Sequence, residues 1–239
     1  MEDQKHPVIQ YFEKIFFRYL HIDSLNRQIN QIMDWHMPGR MEAITIGSHF
    51  FELALYSFGR IVLIDLLKLV NEKEDRSLFH WLEKAKREAP NLEISRYNSD
   101  SGLRNPIPVA EYHELINAQL AQLRGYTEIV EGIRVRRNKM IAHADKKFFD
   151  DPERLFQRYP MAGLDIQPLM VTIKSILHEQ YLLLLHADSG MEVHATSDVE
   201  RILGFTRAFH RVYHDRRITR DCRIKVYQYL RDDYNEVQT

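Results

Sequence analysis

Residues 53–70 read LALYSFGRIVLIDLLKLV, and this stretch decides the fold. It is long and apolar enough to raise a membrane span. Arg60, Asp65 and Lys68 interrupt it, however, and charges at the centre of a lone membrane helix are too unfavourable. A core helix is the expectation instead. From Ile44 to Val70 the apolar residues fall on almost every side, as in a helix covered by neighbours in several directions, so one central helix is predicted over 44–70.

Working outward, Val8, Phe12, Ile15, Tyr19, Ile22, Leu25, Ile29 and Ile32 recur every three or four positions, the stripe of a first long helix that ends at His36-Met37-Pro38-Gly39. Past Val70, Leu78, Trp81, Leu82 and Ala85 mark a short amphipathic helix with Ser77 as its N-cap and Pro90 just beyond its end. The segment from Pro90 to Pro108 is rich in Asn, Ser, Asp and Pro and reads as an irregular exposed loop, with the next helix starting near Pro108. Tyr112, Leu115, Ile116, Leu120, Leu123, Ile129, Val130 and Ile133 then predict a helix of roughly 30 residues. A further helix spans Ile166 to Leu185, and His186 to Thr196 reads as a linker. Ser197-Asp198-Val199-Glu200 fits a capping box that opens a last helix through about Tyr213. Residues 217–230 fit a helix and a strand equally well.

The composition agrees with an all-α chain of globular type. Nine glycines and eight prolines in 239 residues fall below the usual share of about 12%, which disfavours a turn-rich β sandwich and a disordered chain. The net charge of −1 excludes a global basic field, so any contact with nucleic acid must come from a local patch. Cys222 is the single cysteine, which removes internal disulfides and cysteine-built zinc sites. The opening MEDQKHPV lacks the charged-then-apolar pattern of a secretory signal, and a cytoplasmic location without membrane association is expected.

Several familiar chemistries find no motif. The phosphate loop GxxxxGK[ST] and the GxGxxG turn are missing, and neither His178-Glu179 nor His113-Glu114 has the second histidine of a zinc-protease pair. His210 and His214 stand four apart with Cys222 and Asp215 nearby, but two ligands do not make a metal site, and no metal or cofactor is assigned. Asp65 is read as a partly buried carboxylate paired with an arginine such as Arg60 rather than as a catalytic group. Residues 201–226 hold eight cations against Asp215 and Asp221, a net of +6, which fits a polyanion-binding face and a solvated helix surface equally well.

One segment stands apart: Arg136-Arg137-Asn138-Lys139-Met140-Ile141-Ala142-His143-Ala144-Asp145. Between residues 134 and 147 six cations face one carboxylate, a net of +5, at the end of a long helix. Cations near a helix C-terminus meet its negative dipole end favourably, which accounts for the arginines but not for the histidine or the asparagine.

This segment resembles the signature of the HEPN superfamily, an arginine followed by a polar residue and then a histidine after four to six positions; Arg137, Asn138 and His143 fit it. The aromatic pair Phe50-Phe51, the spacing of Arg60 and Asp65, the Trp81 segment and the run RNK..AH.D are similar to the abortive-infection branch. The resemblance implies an up-and-down helical bundle over residues 1–188 with a C-terminal helical extension over 189–239. It also implies a homodimer with two motifs in one cleft, and metal-independent endoribonuclease activity of a toxin or antiviral defence effector, with an antitoxin or other regulatory protein as a possible partner. In it, the catalytic residues are Arg137, Asn138 and His143, with Arg136, Lys139 and Asp145 supporting RNA binding. The alternative is a non-catalytic helical module that binds RNA, a nucleotide or a protein through the same basic cleft. The main phosphate contact stays open: at about 100° per residue a straight helix puts Arg136 within roughly 20° of His143, and Arg137 about 120° away.

Overall fold

A computed structural model describes residues 6–34, 40–98, 103–138, 166–185 and 197–214. Its helices are α1 (Pro7–Met33), α2 (Arg40–Ile46), α3 (Ser48–Val70), α4 (Leu78–Glu88), α5 (Val109–Arg124), α6 (Thr127–Arg136), α7 (Gln167–Leu184) and α8 (Ser197–His214). Strands β1 (Ser95–Asn98) and β2 (Leu103–Pro106) form a small antiparallel hairpin, and a 3-10 turn over Ala89–Asn91 follows α4. The fold is all-α, as the periodicity predicts. Among the described residues no helix is long and apolar enough to cross a membrane.

The chain makes two compact units, Met1–Asn26 with Ser57–Val193 and Arg27–Tyr56 with His194–Thr239. In the first, four helices close a ring in which each runs antiparallel to its neighbours. Along α1, the Val8 carbonyl accepts a hydrogen bond from Trp81 Nε1 at 3.0 Å, whereas Arg18, three turns on, reaches the carbonyl of Arg76. That order sets α1 against α4. The α4 end near Lys86 lies by His113 and Asn117, while Phe79 lies under Arg124, so α4 and α5 are also antiparallel. Tyr112 meets Gln180 and Tyr126 meets Thr172, which reverses α7 against α5. Phe16 stacks near Tyr181 at 5.1 Å and the Tyr19 hydroxyl reaches the Met170 carbonyl, closing the ring on α1. This is the up-and-down bundle. Its core is aromatic on one side, with Phe12 4.9 Å from the fully buried Trp81, and aliphatic along α3, where Leu66, Leu67 and Leu69 are sealed.

A polar chain crosses this core. Tyr112, fully buried, donates to Gln180 Oε1 at 2.7 Å; Gln180 Nε2 donates to Gln119 Oε1 at 2.9 Å; Gln119 Nε2 donates to Glu179 Oε2 at 2.8 Å. Burial pushes the Tyr112 phenol well above its ordinary range, so it stays a donor. Tyr112→Phe strips the Gln180 oxygen of that donor, and a buried acceptor left without one costs about 1–3 kcal/mol. Urea unfolding is expected to show a lower midpoint at unchanged slope.

Three sequence expectations are corrected. The predicted helix over 44–70 is interrupted at Gly47, which has low helix propensity and where a Cβ would crowd the Phe51 ring at 3.2 Å. The predicted 30-residue helix is two helices, because Gly125 closes α5 by donating to both the Ala121 and Gln122 carbonyls, and Thr127 starts α6 with its hydroxyl on the Arg124 carbonyl. The segment from Pro90 to Pro108 is not wholly irregular. It carries the hairpin, paired from Ser95↔Pro106 to Asn98↔Leu103. The hairpin has no apolar alternation to announce it; Arg104 fastens it by donating to the Leu182 carbonyl of α7 at 3.1 Å.

In the second unit α2 packs on α8. Arg207 and Arg211 of α8 both grip the Glu42 carboxylate, each at 3.0 Å. The hydrogen bond from Arg211, then that from Arg207, holds the Glu42 carboxyl below the usual carboxylate range.

Candidate functional site

The basic cluster lies where α6 ends. Regular α geometry stops at Arg136, and the chain turns on through Arg137 and Asn138 in a wider π-type turn, a local irregularity often found at functional sites. The 100° step used to relate Arg136 and Arg137 to His143 therefore does not extend past Arg136. Lys139, His143 and Asp145 lie outside the described residues.

The three arginines at this end have different situations. Arg134 pairs with Glu131 one turn back and donates through Nη2 to Asn71 Oδ1 at 3.1 Å, so it ties α6 to the end of α3. Arg136 is buried, 5% exposed, and the loss of water around its guanidinium lowers its pKa, although an arginine still keeps its proton. Arg137 is half-buried and folds over its neighbour: Nε and Nη2 donate to Asn138 Oδ1 at 3.1 and 2.8 Å. That contact uses one edge of the guanidinium. Among the described residues the other three N–H bonds, two on Nη1 and one on Nη2, have no protein acceptor, and together they form the fork that matches a phosphate.

The structure thus brings Arg137 and Asn138 into direct contact and puts Arg136 in the interior. Glu131 and Asn71, which hold Arg134, were not singled out by the sequence; Asn71 is 63 positions away, and no local pattern links the two. Asp65 pairs with Lys68 one turn on, at 3.8 Å, and not with Arg60 as expected; its carboxylate is about one quarter exposed. Lys68, one turn on and itself exposed, is the cation it meets. Of the eight cations over 201–226, Arg207 and Arg211 share the single Glu42 carboxylate. Among the described residues no group of three or more His, Cys, Asp or Glu side chains is placed to hold a metal ion, and residues 215–239, including Cys222, lie outside them.

Compared with known protein families, residues 42–203 match the HEPN family AbiU2, about two thirds of the chain. The chain belongs to the AbiU2 family of HEPN domains. The match begins at Glu42 and ends at Leu203, so it takes in α3 to α7, the start of α8 and the whole segment from Arg134 to Asp145. The all-α chain is therefore a HEPN module, and the family match suggests an abortive-infection-related one. No curated protein and no solved structure matches the chain.

Proposed function

We propose that this AbiU2-family protein is a metal-independent endoribonuclease that acts in the cytoplasm as an antiviral or toxin-like effector. The observation that carries the reading is the Arg137–Asn138 clasp, a guanidinium fixed at the helix end with its phosphate-matching fork directed away from its tether. Cleavage of RNA by its own 2′-hydroxyl needs no external nucleophile. The 2′ oxygen attacks the adjacent phosphorus and loses its proton to a base, the P–O5′ bond breaks, and an acid returns a proton to O5′. The products are a 2′,3′-cyclic phosphate and a 5′-hydroxyl. An unperturbed imidazole titrates near neutrality, which makes His143 the group proposed to move the protons, and Arg137 meets the charge that builds on the phosphoryl oxygens. Asn138 holds Arg137, Lys139 and Asp145 support RNA binding, and the buried Arg136 supports the site from the interior.

Two chains are proposed to pair so that two motifs share one cleft. Support comes from the apolar stripe Phe50, Leu53 and Tyr56 on α3, each at least half exposed, which a second copy would cover. An antitoxin or trigger protein is the partner this role calls for.

The test is digestion of a single-stranded RNA by the purified chain in excess chelator, with the new ends identified. Cyclic phosphate and 5′-hydroxyl ends are expected, and an oligonucleotide with a 2′-deoxy sugar at the cleaved position should stay intact. Binding without turnover, or cutting of the 2′-deoxy strand, overturns the reading.

A further inference from the structure

A second basic site lies inside the bundle unit, on the groove between α1 and α4. This cleft of about 560 Å³ is lined by Lys14 and Arg18 from α1, Arg76 from the loop before α4, and His80, Lys84 and Arg87 from α4. Asp75 is the one carboxylate in its lining. Among the described residues several other arginines face a carboxylate: Arg96 faces Glu111, Arg124 Glu72 and Arg134 Glu131, while Arg207 and Arg211 share Glu42. Among the described residues none of the five cations in this cleft forms an ion pair. Five like charges around one groove repel one another, and an anion relieves that repulsion.

The cations are also arranged in rows. Lys14 and Arg18 sit four apart on α1, and Lys84 and Arg87 three apart on α4, so each row advances by about 4.5–6 Å along its helix. Because α1 and α4 are antiparallel, the positive N-terminal end of each helix falls at an opposite end of the cleft. Between the rows lies Tyr11, its hydroxyl fixed on the carbonyls of Asp75 and Ser77 at 3.0 and 3.3 Å, with Lys84 6.0 Å above its ring. An anchored aromatic between two lines of cations is the arrangement of a groove that follows a nucleic-acid backbone without reading its bases.

The loop between α3 and α4 connects this cleft to the end of α6. Asn71, which accepts from Arg134, and Arg76, which lines the cleft, are five residues apart, at most about 18 Å of chain. Two successive turns, Glu74 N–H to the Asn71 carbonyl and Ser77 N–H to the Glu74 carbonyl, shorten that path.

We infer that the α1–α4 cleft binds consecutive phosphates of single-stranded RNA, as a site separate from Arg137 and Asn138. The inference takes its choice of polymer from the ribonuclease reading, but its test does not use cleavage. A fluorescent single-stranded oligonucleotide made wholly of 2′-O-methyl sugars, which has no attacking 2′-hydroxyl, is titrated with the full-length chain at several salt concentrations. Lys14→Ala, Arg76→Ala and Arg87→Ala combined remove three phosphate contacts, so the slope of log affinity against log salt is expected to fall by about 2, with weaker binding of at least tenfold at low salt. A thermal melt checks that the variant is folded.

An unchanged affinity and slope in the folded triple variant overturns the inference, as does a parent chain that does not bind the oligonucleotide. Tripolyphosphate forms a competing arm: saturable binding of it that the variant abolishes, without displacement of the oligonucleotide, assigns the cleft to a small polyphosphate instead. Should the triple variant lose RNA binding while the parent proves unable to cleave RNA, the ribonuclease reading fails and this site stands.

Discussion

His143→Ala is expected to slow RNA cleavage by about 10²- to 10⁴-fold, the contribution of a positioned general acid or base. Without it the 2′-hydroxyl must lose its proton to water, and the departing O5′ must leave as an alkoxide or take a proton from solvent. The measurement is single-turnover cleavage with the chain in excess over RNA, in chelator, across a range of pH. Near neutrality the parent's rate should bend where the imidazole titrates, and the variant should lose that bend along with its speed. A variant that cleaves as fast as the parent, with the same pH profile, removes His143 from the chemistry.

Arg137→Ala should cost about 10²- to 10³-fold in the same assay, the loss seen when one donor aimed at developing charge is removed. Charge alone is not the point. Arg137→Lys keeps the positive charge but presents no planar fork and cannot clasp Asn138 through two nitrogens, so it is expected to recover only a small part of the rate. Arg136 gives the contrast. Its side chain is buried, so Arg136→Ala should lower the melting temperature, with an effect on turnover that follows the folded fraction. If Arg136→Ala abolishes turnover in a fully folded protein while Arg137→Ala does not, the phosphate contact has been assigned to the wrong neighbour.

Much of the architecture was readable because local periodicity and the packed result coincide. The stripe from Val8 to Ile32 is α1, Ser77 does cap α4 with its hydroxyl accepting from the His80 N–H, and Trp81 is sealed in the core. The interruptions at Gly47 and Gly125 escaped because the apolar stripes on either side continue in nearly the same phase. The hairpin escaped for another reason: no apolar alternation marks β1, where Ser95 is buried and Arg96 and Tyr97 are exposed, and what fixes β1 and β2 is a contact with α7 more than 70 positions later.

The candidate site was legible by residue type and spacing, since arginine, asparagine and histidine stand within seven positions. The separate situations of Arg134, Arg136 and Arg137 were not, because they depend on where Asn71 and the interior lie. The α1–α4 cleft was invisible for the same reason. Lys14 and Arg87 are ordinary polar-face residues of two helices until the bundle sets them across one groove.

The Arg137–Asn138 clasp has a thermodynamic corollary. A long flexible side chain that grips an anion surrenders its rotamers at that moment, a loss of up to about 2 kcal/mol for an arginine. Here the amide next door has already stopped the rotor while the chain folds, so a phosphate meets a donor that has little motion left to give up.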